Sequence, residues 1–219
     1  MIEATVNLVL NLDQNLIFVA QTYGMWTYLI LFLIIFFETG FVITPFLPGD
    51  SLLFVSGAAA ASGILDLQLL IVVFIFGAII GDTVNYWIGN YVGLHVFLER
   101  FPNFVKKEYI DRTYEFYEKY GGATIVVARF VPVVRTFAPF LAGVGTMQYR
   151  RFLFYNIVGG VLWTFVVVLA GYYFGTFSIV KENMSLLIFL VLLATLVTVI
   201  IIIAGLITAF RKKRSQTQQ

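Results

Sequence analysis

Cysteine is absent from the 219 residues, and histidine occurs once, as His95. Disulfides and thiolate metal sites are thereby excluded, and cysteine usage carries no mark of redox compartment. Charge is scarce as well. Asp, Glu, Lys and Arg make up 12% of the chain, about half the share of a soluble domain. Lysine and arginine are missing altogether before Arg100. A chain this poor in charge and 60% hydrophobic reads as an integral, all-α membrane protein.

Long apolar runs stand where the charges are missing. Leu67–Val96, Phe152–Phe177 and Ser185–Phe210 each meet the length needed to cross a ~30 Å hydrocarbon core. Met25–Pro45 is long enough too, but it contains Glu38 and runs into a broken segment. Residues 1–22 lack the basic region of a signal peptide and are expected to be mature sequence. Asn7, Asn11, Asp13, Gln14 and Asn15 interrupt their apolar residues, so 1–22 reads as an interfacial amphipathic helix.

The positive side chains fall in three clusters. Arg100, Lys106, Lys107, Arg112 and Lys119 share one connector, Arg150 and Arg151 follow, and Arg211–Lys212–Lys213–Arg214 close the chain. Basic residues near span ends mark the cytoplasmic side. All three clusters agree on one orientation: 185–210 runs inward, 152–177 outward and 67–96 inward, with the 211–219 tail in the cytoplasm. The 99–120 connector reads as a helix on the membrane surface, because Ile110, Tyr114 and Tyr117 share a face. Glu108/Arg112 and Glu115/Lys119 stand at i,i+4 spacing. Five acidic residues (Glu99, Glu108, Asp111, Glu115, Glu118) offset its five basic ones, which argues against nucleic acid as a partner.

Two apolar regions are awkward as spans. Residues 25–63 are interrupted by TPFLPGDS, with Pro45, Pro48 and Gly49, and residues 121–146 by RFVPVVRTFAP, with Pro132 and Pro139. Each is expected to be a re-entrant hairpin of half-helices meeting at its break. Hairpin then span, twice and in opposite directions, makes an inverted repeat, with a further C-terminal span at 185–210. One membrane domain covers the chain. Gly63, Gly77, Gly89 and Gly93 recur 82 residues later as Gly145, Gly159, Gly171 and Gly175. Such repeats with broken helices at mid-membrane are a transporter signature. The pairs Gly77/Gly81, Gly89/Gly93 and Gly171/Gly175 read most plainly as close helix packing.

Glu38, Asp50, Asp82, Arg129 and Arg135 all fall in segments expected inside the membrane. Charge at that depth is costly unless paired or hydrated, and so marks a site by default. On an unbroken helix, residues six apart point about 240° apart. A break at Pro132 would let Arg129 and Arg135 face one cavity. Two readings stay open. In one, the arginines pair with Glu38 and Asp50 and hold the hairpins together. In the other, Arg129 and Arg135 bind an anionic group, helped by half-helix N-termini. Glu38 or Asp50 would then be a protonatable coupler, since burial disfavours carboxylate charge. Asp82, in GDTVNYW, is placed evenly between packing and function.

Glu38 followed by PFLPGDSLLFVSG, then GAIIGDTVNYWIGNYVG, then FYEKYGGATIVVARFVPVVRTFAPFLAGVGTM resembles the DedA family. The motifs cover roughly residues 36–147. The resemblance implies two re-entrant hairpins in an inverted repeat, a fold shared with eukaryotic lipid scramblases. It implies a bacterial inner-membrane protein that maintains the envelope by transport dependent on the proton-motive force, moving lipid carriers such as undecaprenyl phosphate. The acidic and arginine positions of the family match Glu38, Asp50, Arg129 and Arg135.

The function expected is therefore translocation of a phosphate-bearing lipid, in support of envelope integrity and cell division. The alternative is a proton- or cation-coupled transporter of a small solute that affects lipids indirectly. An enzyme is not expected. His95 sits at the inner end of a span, and neither a mid-membrane histidine, an aspartate cluster on one helix nor a metal-ligand cluster is present. No cofactor or metal is expected. The partners expected are anionic or phosphate-bearing lipids and protons, with homo-oligomerisation left open.

Overall fold

A computed structural model describes residues 12–41, 49–92, 121–145, 147–175 and 177. The 99–120 connector, the 185–210 span, the 211–219 tail, Pro45 and Pro48 lie outside the described residues. Every regular element described is helical. In chain order they are α1 (Leu12–Tyr23), α2 (Trp26–Gly40), α3 (Gly49–Ala61), α4 (Leu67–Tyr91), α5 (Ala123–Ala128), α6 (Pro132–Val144) and α7 (Tyr149–Phe174).

Among the described residues, only α4 and α7, of 25 and 26 residues, are long and apolar enough to cross a membrane. At 1.5 Å per residue each extends to about 38 Å. Both differ from the expected bounds. The expected span 67–96 is described as helix to Tyr91, and the expected start at Phe152 moves back to Tyr149. Arg150 and Arg151 therefore belong to the first turn of α7. In the expected span 25–45, α2 is helical for only 15 residues: Gly24, at φ 53°, turns the chain just before it, and the helix ends at Gly40, where Phe41 is extended. The amphipathic segment expected at 1–22 contributes α1, which is not simply peripheral. Leu16 is buried in the core, and the Thr27 hydroxyl donates to the Val19 carbonyl at 3.2 Å.

Close backbone approaches set the helix directions. A Cβ on Gly77 would meet Phe32 and Ile35, and one on Gly81 would meet Phe36, Thr39 and Gly40. The Tyr28 hydroxyl accepts from the Asp66 N–H at 2.7 Å. Low numbers face low numbers, so α2 and α4 run parallel. By the same reasoning α5 runs parallel to α7, with Gly122 against Tyr155 and Val126 against Gly159. The long helices themselves are antiparallel: Ile79 meets Asn156 and Gly160, while Tyr86 meets Phe152.

The returning helices follow the opposite partners. On α3, Asp50 reaches Trp163, Gly57 lies against Val168 and Tyr172, and Ala58 lies against Gly175, so α3 runs parallel to α7. On α6, the Thr136 carbonyl meets Asn85, Phe140 lies on Gly89, and Gly143 on Asn90, so α6 runs parallel to α4. It follows that α2 and α3 run in opposite directions, and so do α5 and α6.

Burial runs inside out relative to a soluble domain. Phe76, Phe154, Val166 and Phe174 are exposed, while Thr27, Asp82, Asn85, Asn156 and Thr164 are buried. That is the distribution expected where the solvent is lipid and polar groups must be satisfied internally. Two apolar clusters flank the polar centre, one around Leu31, Ile35, Leu53, Phe74 and Val168, the other around Tyr86, Ile125, Ala142 and Phe152.

Candidate functional site

Glu38 stands in the last turn of α2 and Asp50 in the first turn of α3, on either side of residues 42–48. Gly49 was expected as part of the break but is the first residue of α3. A helix leaves its first N–H groups without internal partners, and the Gly49 N–H is donated to Glu38 Oε1 at 3.2 Å. A side chain at 49 would run into the Glu38 carboxylate, which is why glycine suits the position.

The second break falls at Arg129–Val131. Arg129 follows α5 directly, and Val131 is extended. Pro132 then opens α6 at its first turn, where its missing N–H costs nothing. Pro132 therefore starts a helix. Pro139, expected as a further break, lies inside α6, which continues to Val144. Its ring removes the N–H that would bond the Arg135 carbonyl and crowds that carbonyl.

These breaks bring both arginines to the same small cavity, lined by Thr39, Asp82, Arg129, Arg135, Thr136 and Trp163. Its volume, about 10 Å³, is on the scale of a single water molecule. Of the two arginines, only Arg135 pairs with the carboxylates named in the pairing reading. Arg135 pairs with both Glu38 and Asp50, the latter at 2.8 Å. Arg129 pairs with Asp82 and also donates to the Asn156 amide oxygen. The site thus holds three carboxylates to two guanidiniums, where two of each were expected. Asp82 belongs to it.

Four buried residues carry the geometry; polarity or aromaticity inside apolar spans hinted at three of them, and the glycine recurrence at Gly159. Asn156 donates to the Ile79 carbonyl at 3.1 Å, tying α7 to α4 beside Arg129. Asn85 donates to the Thr39 carbonyl at 3.0 Å and the Thr136 carbonyl at 2.8 Å, joining α2 to α6 through α4. Trp163 donates its indole N–H to Asp50 Oδ1 at 2.9 Å, and its ring centre lies 4.9 Å from the Arg135 guanidinium carbon. Gly159 gives Arg129 its berth: a Cβ there would stand 3.0 Å from Arg129 Cδ.

Access to the cluster is uneven. Glu38 is 1% exposed and Asp82 and Arg129 4%, but the Asp50 side chain is 26% exposed. Glu38 Oε2 and the Nε of each arginine are buried and have no hydrogen-bond partner among the described residues. The arrangement can exchange an ion or a proton at paired charges reached through Asp50. Among the described residues no group of His, Cys, Asp and Glu could hold a metal ion.

The VTT domain family matches residues 47–173. Protein DedA of Escherichia coli (strain K12) is 46% identical over 212 residues, 96% of this chain and 94% of the relative. An uncharacterized membrane protein of Mycobacterium leprae is 38% identical over 84% of this chain and 80% of its own length. The inner membrane protein YqjA of Escherichia coli (strain K12) is 29% identical over 85% of each chain. No solved structure matches. Two membrane-length helices, a charged centre buried between broken ones and these relatives agree: the chain belongs to the DedA family of VTT-domain membrane proteins.

Proposed function

We propose that this protein is an inner-membrane transporter that moves a phosphate-bearing lipid, such as undecaprenyl phosphate or a phospholipid, between leaflets, using the proton-motive force. The observation that carries the reading is Arg135, from one pair of broken helices, held by Glu38 and Asp50 of the other. A phosphate needs the same in-plane guanidinium donors that two carboxylates now occupy. Protonating Glu38 and Asp50 would release Arg135 to the lipid phosphate, and their deprotonation would expel it. Arg129 would add a second positive charge at the same cavity. The acyl or isoprenoid tail would stay in the bilayer.

The broken helices are read as re-entrant hairpins in an inverted repeat. Support comes from length and direction. At about 22 Å, α2 falls short of a ~30 Å core, and α3 turns back from it. The contacts repeat as well: Gly57 on Val168 and Tyr172 answers to Gly143 on Tyr86 and Asn90. The C-terminus is placed in the cytoplasm by its basic tail, and the role is envelope maintenance and cell division rather than an enzymatic one. The third carboxylate favours one further reading. Three acids to two arginines suit a site that takes up a proton or cation, so coupling could serve a small solute instead.

The test is translocation in proteoliposomes. A labelled lipid phosphate should cross with wild-type protein, fall at least tenfold with Arg135→Ala, and lose its pH dependence with Glu38→Gln. Proton movement without transport of any lipid phosphate would favour the solute reading. Full, equally pH-dependent transport by Glu38→Gln would refute the exchange.

A further inference from the structure

We propose that Trp163 is a positioning residue that keeps Arg135 in place when Glu38 and Asp50 release it, an inference that rests on the exchange reading above. A guanidinium is planar, with its five donors in the plane and its faces free for stacking. Carboxylates and a lipid phosphate therefore compete for the same edges of Arg135, whereas an aromatic ring on its face competes with neither. The Arg135 guanidinium carbon lies over the Trp163 ring, 4.9 Å from its centre. Among the described residues, Trp163 is the aromatic ring that the Arg135 cation lies over.

Location separates Trp163 from the other two tryptophans. Trp26 and Trp87 are 68% and 52% exposed, as befits side chains at a membrane surface. Trp163 is 2% exposed, in the middle of α7, and lines the arginine cavity. Its indole N–H and Arg135 Nη1 both bond the same Asp50 oxygen, Oδ1, at 2.9 and 2.8 Å. Trp163 thus touches both partners of the pair that must open. A freed arginine would otherwise swing its long side chain toward water, and the returning carboxylates would find no partner.

Two measurements on the full chain in nanodiscs test this. The first uses Trp26→Phe/Trp87→Phe protein, in which Trp163 is the sole tryptophan. Adding Glu38→Gln, which leaves the indole–Asp50 hydrogen bond in place, should leave its emission maximum where it was, because the cation stays on the ring, while Arg135→Met should shift it. An equal shift in both variants overturns the proposal. This arm needs no lipid ligand and keeps Trp163 intact. The second measures binding of dihexanoyl phosphatidic acid, with dihexanoylglycerol as the phosphate-free control. Trp163→Phe should bind within about threefold of wild type, and Trp163→Leu about tenfold more weakly, as expected for loss of a desolvated cation–π contact. Equal losses in the two variants overturn the role of the ring. Wild-type protein that does not prefer phosphatidic acid over the control refutes the phosphate-lipid reading, and the emission measurement then decides Trp163 by itself.

Discussion

Arg129 and Arg135 differ in what holds them, and the difference predicts different behaviour on mutation. Arg129 is balanced by one carboxylate, Asp82, and by an amide anchored to α4. Removing one partner of a buried pair leaves an uncompensated charge and costs about 3–5 kcal/mol, whereas replacing both by apolar groups of similar volume is often neutral. Asp82→Ala should therefore lower the thermal unfolding midpoint sharply, while Asp82→Leu/Arg129→Met should stay close to wild type. A double variant as unstable as the single one would mean the pair does more than cancel charge. Arg135 offers no such rescue on the transport reading. A triple variant Glu38→Gln/Asp50→Asn/Arg135→Met should fold and fail to translocate lipid phosphate in proteoliposomes, and retained translocation would remove Arg135 from the mechanism.

Between elements, glycine sets how closely the helices approach. A Cβ on Gly57 would strike the Val168 carbonyl, and one on Gly89 would strike the Phe140 backbone. Neither neighbour can yield as a flexible side chain would, so overpacking here costs about 1–3 kcal/mol or more. Gly57→Val and Gly89→Val should both destabilise, and by comparable amounts, since each holds one returning helix against one long helix. Gly63 is the contrast. Its φ is 75° with open space around it, so Gly63→Ala should cost only about 1–2 kcal/mol, from the left-handed conformation alone. Chemical denaturation of purified protein in detergent ranks the three. A Gly63→Ala cost equal to that of Gly57→Val would show that packing is not what the glycines serve.

At the scale of the molecule, the helix directions put the α3–α4 link and the α6–α7 link at opposite ends of the antiparallel pair α4 and α7. Because the chain has no cysteine, single cysteines can report this directly. Ser62→Cys should react with an impermeant maleimide from outside intact cells, and Gln148→Cys only after the cytoplasmic side is opened. Labelling of both from one side would rule out the inverted arrangement.

Much of this was legible before any coordinates. Scarce charge and long apolar runs dictate a helical membrane protein, because backbone polar groups in lipid must be satisfied within the segment. Five ionisable residues in apolar surroundings mark the site on the same grounds, and all five meet there. Local chemistry also placed both breaks. What a break residue becomes was less legible: Pro132 and Gly49 open helices, where an N–H has no internal partner to lose, while Pro139 sits inside one that packing carries through to Val144.

The partnerships were decided by tertiary structure alone. Asp82 lies 47 residues from Arg129, and Glu38 lies 97 residues from Arg135. No local periodicity assigns those partners. They rest on four parallel helix packings and on the antiparallel pair α4 and α7, which set Trp163 against Arg135 and Asn156 beside Arg129. Sequence alone determines that charge must be gathered inside this membrane protein, because lipid cannot solvate it. Which charges meet, and which remains reachable through Asp50, depends on how the broken helices cross.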